Sequence, residues 1–556
     1  MTRKAEAVGS FSPFVAVIAV LIGIAALAQA PAGSKLYASA HLKQSTVYAS
    51  VLDTSFLPPV TISSGGGQAV SVAVADLNAD GKPDLVVANQ GTNTVAVLLG
   101  NGDGTFQQPL TYDPGGVHPS SVAVADLDGD GRPDLVVATA GNGDIGVLLG
   151  NGDGTFQSAK IYLSGGVEDN AIAVADMNHD GAPDLIVTGI SNNGDGAVGV
   201  LLGNGDGTFQ SVRTETIGGA GGAGIPAVAV ADVNGDGKLD VLAATLKTSC
   251  SSNSCNTVGA VAVLLGNGDG TLRSPVLTLS GGVYSSSLAV ADVNGDKKPD
   301  IVVENGQCCG SANGVVGVLL GNGDGTFQKP VVYRSGIGGS GRSVVVADVN
   351  RDGNLDIVAT DDCAHSDCLN QGVVGVLSGN GDGTFQAAQT LGSGGFLPRS
   401  LAVTDLNGDG APDIVVGNFC GDDRVTCERS SLAILMNNPP CMTAPVITLS
   451  VSPTALWPPN GRVVPVTVAG TISDSEPCTV TSAVYAVKDE YGKVQPSGSI
   501  AVGAGGAFSF VVPLKASRLG ADSDARVYRV TVTATNVGAM TGSQTASIIA
   551  PHDRRH

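Results

Sequence analysis

Short apolar runs alternate with polar turn segments along most of the chain. In one stretch, residues 121–126 (SVAVAD) and 134–140 (DLVVATA) flank a polar loop, and residues 145–156 (IGVLLGNGDGTF) run into Asn-Gly and Asp-Gly turns. Apolar runs of this length bounded by Gly, Asn and Asp are typical of strands, and these dipeptides are strong hairpin signals. With residues 156–166 as a fourth segment, the pattern predicts four antiparallel strands, A to D, joined by hairpins.

This unit recurs seven times. The first Asp of the polar loop lies at positions 76, 126, 176, 232, 292, 348 and 405, so successive units are 50 to 60 residues apart. A repeat of this length matches one four-stranded propeller blade with its loops. The turn Gly-Asn-Gly-Asp-Gly-Thr begins at residues 100, 150, 203, 266, 321 and 379.

The two ends of the repeat region complement each other. The seventh unit stops at residues 432–440 without a strand D, whereas residues 53–66 resemble a strand D with no unit before them. We therefore expect the N-terminal segment to complete the last blade, which leaves no naked edge strand. The predicted fold class is all-β: a seven-bladed β-propeller of four-stranded blades, spanning residues 51–440 and closed by the N-terminal strand.

The pattern changes after residue 440. Residues 441–550 lack the acidic loops and carry short alternating strands, which predicts a β-sandwich. The closing segment 528–538 (YRVTVTATNVG) resembles the last strands of bacterial immunoglobulin-like or fibronectin-like modules. We expect Trp457 in the core of this domain and residues 551–556 to be a disordered tail.

The N-terminus has the pattern of an export signal. Arg3 and Lys4 precede an apolar stretch at residues 13–28, and Ala28-Gln29-Ala30 is a cleavage candidate. Residues 1–32 are therefore interpreted as a signal peptide and 33–50 as a linker. This predicts a secreted or cell-surface protein with no membrane span after cleavage, although retention of the segment as an anchor is an alternative.

The charge composition limits the classes of molecule that the chain is expected to bind. The formal net charge is −21, and only 14% of the residues are charged. This balance argues against nucleic acid and against an anionic membrane surface, and it favours cations. Gly occurs 79 times, in keeping with many tight turns.

The ten cysteines fit an exported chain stapled by disulfides. An even count without a zinc-type C-x₂-C spacing favours disulfides over a metal site. Cys308 and Cys309 are neighbours and would need a strained ring, so their pairing is open. The disulfide candidates are Cys250, Cys255, Cys308, Cys309, Cys363, Cys368, Cys420, Cys427, Cys441 and Cys478.

The seven acidic loops predict calcium sites. Positions 1, 3, 5 and 9 carry side-chain oxygens throughout, and position 7 varies, as expected if only its backbone carbonyl is used. Hard oxygen ligands at alternating positions suit Ca²⁺ better than Mg²⁺. The predicted ligands are Asp76, Asn78, Asp80, Lys82 and Asp84; Asp126, Asp128, Asp130, Arg132 and Asp134; Asp176, Asn178, Asp180, Ala182 and Asp184; Asp232, Asn234, Asp236, Lys238 and Asp240; Asp292, Asn294, Asp296, Lys298 and Asp300; Asp348, Asn350, Asp352, Asn354 and Asp356; and Asp405, Asn407, Asp409, Ala411 and Asp413.

Up to seven ions are therefore expected. The fifth site should be the weakest, because Lys297 replaces the position-6 Gly and adds a positive charge. His179 stands at a non-ligand position. An EF-hand is excluded, since position 12 is Val or Ala and the flanks are strands. The alternative is that the Asp and Asn residues only form Asx turns.

The repeat unit resembles the FG-GAP/VCBS repeat, which is the blade of integrin α-chain propellers and of many exported bacterial proteins. The resemblance rests on the Asp-x-Asn-x-Asp-Gly-x-x-Asp loop and the Gly-Asn-Gly-Asp-Gly-Thr-Phe turn, and it covers about residues 50–437. It implies that the loop joins strands A and B and binds Ca²⁺. Lys297, and Leu272 in place of Phe, depart from the pattern.

The resemblance also orients a candidate binding face. A–B loops and C–D turns should share one face, leaving the variable B–C and D–A connections on the other, where binding usually resides. The B–C connections at 246–259 and 418–431 look long and irregular. The polar candidates are Asp361, Asp362, Asp422, Asp423, Arg424, Glu428 and Arg429, with Phe419 as an apolar anchor.

Three functions remain open from the sequence. The first is a binding or adhesion module that binds an extracellular protein or glycan and is expected to be a monomer. Protein contact is favoured over a lectin, because the variable loops offer only Phe396, Phe419 and Tyr284 as aromatic residues. The second is an enzyme acting on an extracellular polymer in the propeller funnel, and the third a purely structural surface protein. No catalytic motif is found, so a non-enzyme is expected.

Overall fold

The computed structural model describes residues 56–551, apart from residues 142, 167, 192, 218–224, 252–253, 307–313, 337–339, 363–370, 422–426, 438–443, 459, 475–479, 490–493, 517–525 and 537–540. The predicted signal peptide, the linker and residues 552–556 of the tail lie outside this range. So do the candidates Cys308, Cys309, Cys363, Cys368, Cys441, Cys478, Asp422, Asp423 and Arg424, and the side chains of Cys250 and Cys255.

The repeat region consists of four-stranded antiparallel sheets. Strand β1 (Val60–Ser63) precedes them. Sheet I comprises β2 (Ala69–Ala75), β3 (Asp84–Asn89), β4 (Thr94–Leu98) and β5 (Leu110–Tyr112); sheet II β6 (Pro119–Ala125), β7 (Asp134–Thr139), β8 (Asp144–Leu148) and β9 (Lys160–Leu163); sheet III β10 (Glu168–Ala175), β11 (Asp184–Ile190), β12 (Gly196–Leu201) and β13 (Arg213–Thr216). Sheet IV comprises β14 (Val228–Ala231), β15 (Asp240–Ser251), β16 (Ser254–Leu264) and β17 (Val276–Leu279); sheet V β18 (Tyr284–Ala291), β19 (Asp300–Gly306), β20 (Val315–Leu319) and β21 (Val331–Arg334); sheet VI β22 (Gly341–Ala347), β23 (Asp356–Asp361), β24 (Val373–Leu377) and β25 (Gln389–Gly392). Sheet VII comprises β26 (Phe396–Thr404), β27 (Asp413–Cys420), β28 (Ser431–Leu435) and β1.

Burial follows the position of each strand in its sheet. The second and third strands are buried along their length, as in β3 and β4, whereas the fourth is largely exposed, as in β5. The unbroken apolar runs are buried on both faces because neighbouring sheets pack face to face. Val86 and Val97 of sheet I share a core with Val137 and Leu148 of sheet II.

The first and last sheets are neighbours as well. Strand β1 pairs antiparallel with β28, from Val60 opposite Ile434 to Ser63 opposite Ser431, so the expected pairing of the N-terminal segment with the last repeat is present. The first strands of successive sheets are in contact from β2 through β26, and β26 is also in contact with β2. This repeated all-β arrangement is consistent with a β-propeller.

Serine hydroxyls link several of these first strands. Ser71 Oγ accepts a hydrogen bond from Val122 N in the next sheet, and Ser121 and Ser287 make the same type of contact. Ser400 Oγ of sheet VII accepts from Val72 N of sheet I at 3.0 Å. A small hydroxyl at this position therefore joins neighbouring sheets, including the last to the first.

Some predicted loops are strands. The segment 246–259 is a regular extension of the β15–β16 hairpin, whose pairing continues to Ser251 opposite Ser254, so its description as an irregular loop is wrong. Thr is a favoured strand residue, and the hydroxyls of Thr248 and Thr257 lie 3.1 Å apart across this ladder. Tyr284, Phe396 and Phe419 likewise lie within β18, β26 and β27.

The C-terminal region forms two further sheets around one core. It contains seven strands: β29 (Val446–Ser452), β30 (Val463–Ser473), β31 (Val480–Asp489), β32 (Val494–Ser499), β33 (Ala507–Lys515), β34 (Arg526–Asn536) and β35 (Thr541–Ala550). A short 3₁₀ turn, Ala504–Gly506, lies between β32 and β33. Their orders are β29-β30-β33 and β32-β31-β34-β35. Strands β32 and β35 were not predicted from the pattern.

The core of this region excludes its Trp. Trp457 is 42% exposed, so its predicted core position is wrong, and the adjacent Leu456 is fully buried instead. Tyr528 is the largest buried side chain there, and its hydroxyl donates a hydrogen bond to the Lys515 carbonyl at 2.7 Å. Among the described residues, no helix has the length and apolarity needed to cross a bilayer.

Candidate metal centres

Each acidic loop connects the first strand of a sheet to the second. In the second loop, one carboxylate oxygen from each of Asp126, Asp128 and Asp130 lies within 4.8 Å of the other two. These are positions 1, 3 and 5 of the predicted site. The remaining loops carry Asn at position 3 in place of Asp128. The structure therefore brings together three of the predicted ligands in the loop with the most carboxylates.

Backbone hydrogen bonds turn these side chains inward. Asp126 accepts from the amide N–H groups of Asp130 and Gly131 at 3.1 and 2.9 Å. Asp128 accepts from Asp130 N at 3.1 Å, and Asp130 accepts from Arg132 N at 2.8 Å. Because each short side chain reaches a later backbone amide, the oxygens gather around the loop instead of pointing to solvent. The other six loops repeat this pattern.

Two positions of each loop have left-handed backbone conformations. Position 6 has φ near +80° where it is Gly, as in Gly81 and Gly131, and Lys297 adopts +66°. Position 4 also has a positive φ, including +57° at Ala79 and +58° at His179. The sequence interpretation missed the second requirement, although Gly at position 4 in four loops was a usable signal. His179 is exposed, in agreement with its predicted non-ligand position.

The position-9 Asp has a structural role that the sequence did not reveal. Asp134 is buried, and its two carboxylate oxygens accept from Leu127 N at 2.8 Å and from Gly150 N at 2.7 Å. It thereby joins the acidic loop to the turn between the third and fourth strands. Equivalent bonds occur in every sheet, with Asn437 N as the second donor to Asp413. Each oxygen retains a second lone pair, so metal ligation by position 9 stays a prediction.

Burial shifts the titration of these position-9 groups. Desolvation raises the pKa of Asp134, and the two backbone hydrogen bonds offset this only in part. The pKa of Asp356 and that of Asp413 are raised to about 6 by the same cause. Neighbouring loop carboxylates add to the rise at Asp413. The raised pKa values therefore reflect mainly the loss of water around position 9, with a smaller contribution from the negative charge of the neighbouring loop carboxylates.

Basic side chains at position 7 offset part of that charge. Lys82, Arg132 and Lys298 place their cationic atoms 3.9, 3.3 and 3.7 Å from the position-5 carboxylates of their loops. These pairs are partly exposed, so each contributes little to stability. The predicted role of position 7 concerns its backbone carbonyl, which these side chains do not occupy.

The turn between the third and fourth strands supports the acidic loop. In the second unit, Asp153 Oδ1 accepts from both the backbone N–H and the hydroxyl of Thr155, and these bonds lower the pKa of Asp153. Gly154 lies against Leu99 of the preceding sheet, where a Cβ would lie 2.6 Å from the leucine side chain. The turn therefore needs Gly for close packing between sheets as well as for its positive φ.

At the end away from the acidic loops, the sheets differ from one another. Among the sequence-predicted binding residues, Glu428 and Arg429 are exposed, but Asp361 and Asp362 are buried, so their assignment as surface contacts is wrong. Asp361 is the last residue of β23 and Asp362 follows it, and the Asp361 carboxylate lies against Gly314 and Gly336 of the preceding unit. Phe419 is half-buried, with the Arg399 guanidinium 5.1 Å from its ring.

The sequence interpretation did not identify a group of charged residues at the end of the sheets away from the acidic loops. Arg342 pairs with Asp362 at 2.7 Å, and Glu304 is buried beside Ser335. The sulfur atoms of Cys420 and Cys427 are bonded, with 4.5 Å between their Cα atoms. The signal that could have found the group was charge at strand positions where the first four units carry apolar or small polar residues.

The donor set fits calcium. Positions 1, 3 and 5 supply hard carboxylate and amide oxygens from one short loop, and such oxygens are the ligands that Ca²⁺ takes. Three clustered carboxylates repel one another unless a cation lies between them. Bound there, Ca²⁺ would neutralise this repulsion and hold the loop, while position 9 anchors the loop to the sheet.

Comparison with known proteins supports the repeat assignment. The family model described as the FG-GAP-like repeat matches six times, at residues 76–137, 126–187, 187–243, 251–303, 308–359 and 365–416. Together these matches cover more than half of the chain. No curated protein matches the chain as a relative. On the strength of its six repeats, the chain belongs to the FG-GAP-like repeat family.

Proposed function

We propose that this chain is an exported, calcium-stabilised binding or adhesion protein that holds an extracellular protein or glycan on the variable face of a closed seven-bladed propeller. The observation that carries the proposal is a division between the two ends of the sheets. Acidic loops and Gly-rich turns repeat almost unchanged at one end, while the connections at the other end differ in length and chemistry. A rigid scaffold with variable loops on one face is a common design for binding.

Contacts between the first and last sheets support the closed ring. Val87 and Leu98 of sheet I share a core with Val415 and Leu432 of sheet VII. The bond from Val72 N to Ser400 Oγ and the pairing of β1 with β28 join the same two sheets. A ring closed in this way protects its edges and holds the variable connections in one plane.

Calcium at the seven loops would stabilise this scaffold. Each ion adds two positive charges to a chain of formal net charge −21, so seven ions would reduce the net charge to about −7. Lys297 makes the fifth loop the weakest candidate. Titration calorimetry with Ca²⁺, combined with metal analysis of the dialysed protein, measures the number of ions. A protein that takes up no Ca²⁺ would contradict this part of the proposal.

The variable face is most distinctive in its last units. Glu428 and Arg429 are exposed beside the Cys420–Cys427 bond, and Phe419 lies next to them in β27. A short stapled connection holds its exposed side chains with little loss of entropy on binding. We therefore take the surface formed by Phe419, Glu428 and Arg429 as the first site to test.

The test is calcium-dependent capture of a partner from extracellular extract, followed by chemical cross-linking. The variant E428A/R429A should lose the captured partner, whereas the matched control E215A/K329A, which also removes one acid and one base, should retain it. Glu215 lies in β13 of sheet III and Lys329 precedes β21 of sheet V, so both are in other sheets than the tested surface. Full retention of the partner by E428A/R429A would place the binding surface elsewhere. Turnover of a polysaccharide panel would support the enzyme alternative instead.

The remaining parts of the proposal concern export and the C-terminal region. Residues 1–32 would act as the signal peptide, and the C-terminal sheets would form an immunoglobulin-like spacer. Two sheets sharing one core, with Val468 from one and Val532 from the other, support a sandwich. N-terminal sequencing of the secreted protein tests the signal, since an intact Met1 in the medium would contradict cleavage.

A further inference from the structure

Two buried acids lie at the contact between sheets V and VI. Glu304, in β19, is 0% exposed, and Asp361, at the end of β23, is 1% exposed. They are at the variable end of the sheets, far along their strands from the acidic loops. Strand β22 packs against β18 and β19 here, and we call this contact the V–VI seam. No role at the proposed metal or partner sites accounts for these two carboxyl groups.

One hydroxyl lies between the two acids. Ser335 Oγ is 2.9 Å from Glu304 Oε1 and 3.3 Å from Asp361 Oδ2. A serine hydroxyl donates a single proton, so it cannot satisfy two ionised carboxylates at once. Glu304 Oε2 and Asp361 Oδ1 are buried and have no hydrogen-bond partner among the described residues. Two buried negative charges with one donor between them are strongly unfavourable.

The equivalent positions in other sheets show what the site ordinarily contains. Asn89 and Asn418 occupy the place of Asp361 in sheets I and VII, and each donates from Nδ2 to the carbonyl of a nearby serine. Asp361 can donate in this way only when it is protonated. Ala occupies the place of Glu304 in sheets I, II and IV. Gly341 leaves room for the Glu304 carboxyl, since a Cβ there would collide with it.

The charged neighbours do not relieve the pair. From β22, Arg342 is directed to Asp362, with Nε and Nη2 at 2.8 and 2.7 Å from Oδ2. In β26, burial and then the nearby charge of Arg342 lower the pKa of Arg399 to about 10, while Asp362 acts in the opposite direction. Asp362 adds negative charge next to Asp361. Burial raises the pKa of Asp361 to about 7 and that of Glu304 well above its usual range.

We propose that Glu304 and Asp361 form a proton-dependent latch, in which the neutral carboxyl groups hold the V–VI seam and alkaline pH loosens it. The protonated groups can donate to Ser335 and to nearby carbonyls, and no buried charge remains. Loss of the protons leaves like charges that share one donor. The latch would make the sheets that carry the variable connections of units five and six sensitive to the pH outside the cell.

The direction of the pH effect follows from proton linkage. In the unfolded chain both carboxyls ionise near about pH 4. In the folded chain the pKa of Asp361 is about 7, and burial raises the pKa of Glu304 well above its ordinary value. Between these values the folded state holds more protons, so the unfolding constant rises about tenfold per pH unit for each proton retained. The stability of the folded protein therefore falls as pH rises through this range.

The experiment compares thermal and denaturant unfolding of the full chain from about pH 5 to 9 at saturating Ca²⁺, which spans the predicted transition. E304Q/D361N should be more stable than wild type at the alkaline end and should lose most of the fall in stability with pH. The matched control is D195N, which neutralises an exposed acid on the same end of sheet III. D361N alone is the second variant, since Asn already occupies this position in other sheets.

Infrared difference spectra provide an independent measurement. Wild type at about pH 6 should show more carbonyl-stretch intensity from protonated carboxylic acid than D361N, and E304Q/D361N should show less than D361N, because Glu304 and Asp361 both keep protons below their raised pKa values. Parallel pH profiles for wild type and E304Q/D361N, or equal protonated-acid intensity in the two proteins, would overturn the latch.

Discussion

Replacing the buried Asp at position 9 of one loop separates structural from metal-binding roles. In the third loop, Asp184 accepts from Met177 N and from Gly203 N, both at 2.8 Å. Asp184→Ala leaves these two buried amides without acceptors. Hydrogen bonds to charged groups contribute about 1.5–3 kcal/mol each, which gives about 3–6 kcal/mol for the pair. Burial of the carboxylate already costs free energy, as its raised pKa indicates, so we expect a net loss of about 3 kcal/mol.

The assay is denaturant unfolding in chelator and again in excess Ca²⁺. Because the two amides need an acceptor whether or not an ion is bound, Asp184→Ala should destabilise the protein under both conditions. The matched control in the same loop is Asn178→Ala, whose oxygen makes an exposed bond to Asp180 N at 3.0 Å. That variant should lose under about 1 kcal/mol in chelator and more in Ca²⁺, since it removes a predicted ligand. Wild-type stability of Asp184→Ala in chelator would refute the structural role of position 9.

Three further predictions concern the loops and turns. Removal of Ca²⁺ by chelator should lower the melting temperature strongly, since each ion at 100 times its Kd adds about 2.7 kcal/mol, and an unchanged melt would mean that the loops are ordinary turns. Lys297→Gly should raise stability by about 1 kcal/mol and add uptake of an ion at the fifth loop, because Lys297 has φ +66° in a region that favours Gly; calorimetry against wild type checks both effects. In the second turn, hydrogen bonds from Thr155 depress the pKa of Asp153, so its contribution is present above about pH 4 and is lost as pH falls further. Asp153→Asn should therefore reduce the fall of the melting temperature at acid pH, measured in chelator. The same fall in wild type and variant would contradict this.

The repeat and most of its strands could be predicted from local pattern. The apolar run at residues 134–140 lies between Pro133 and Gly141, and the structure has a strand there at Asp134–Thr139. The incomplete units at residues 53–66 and 432–440 predicted that the two ends pair, and β1 pairs with β28 in the structure. The strands could be predicted because turn residues and strand periodicity depend on a few neighbouring positions. The distant pairing could be predicted because an incomplete unit at each end of the repeat leaves an edge strand that needs a partner.

Predictions about side-chain burial were less successful. Trp457 was expected inside and is exposed, whereas Asp361 and Asp362 were expected at the surface and are buried. Hydrophobicity predicts burial only on average, and the end of a strand can be covered by the next sheet. The extended β15–β16 hairpin was missed for a similar reason, since its Thr and Ser residues look like a loop in the sequence.

The sequence by itself determined the repeat, the antiparallel strand order within each unit, the acidic loops with their oxygen-bearing side chains, and the surplus of negative charge. These follow from composition, from the spacing of a few residues within each loop, and from the recurrence of that loop every 50 to 60 residues. Only the tertiary structure decided that position 9 bonds to a turn 16 residues further on in the second unit, and that Glu304 and Asp361 meet across two sheets at one serine hydroxyl. The reason is physical: packing sheets face to face removes water from groups that are distant in the chain, and that desolvation sets both their partners and their protonation.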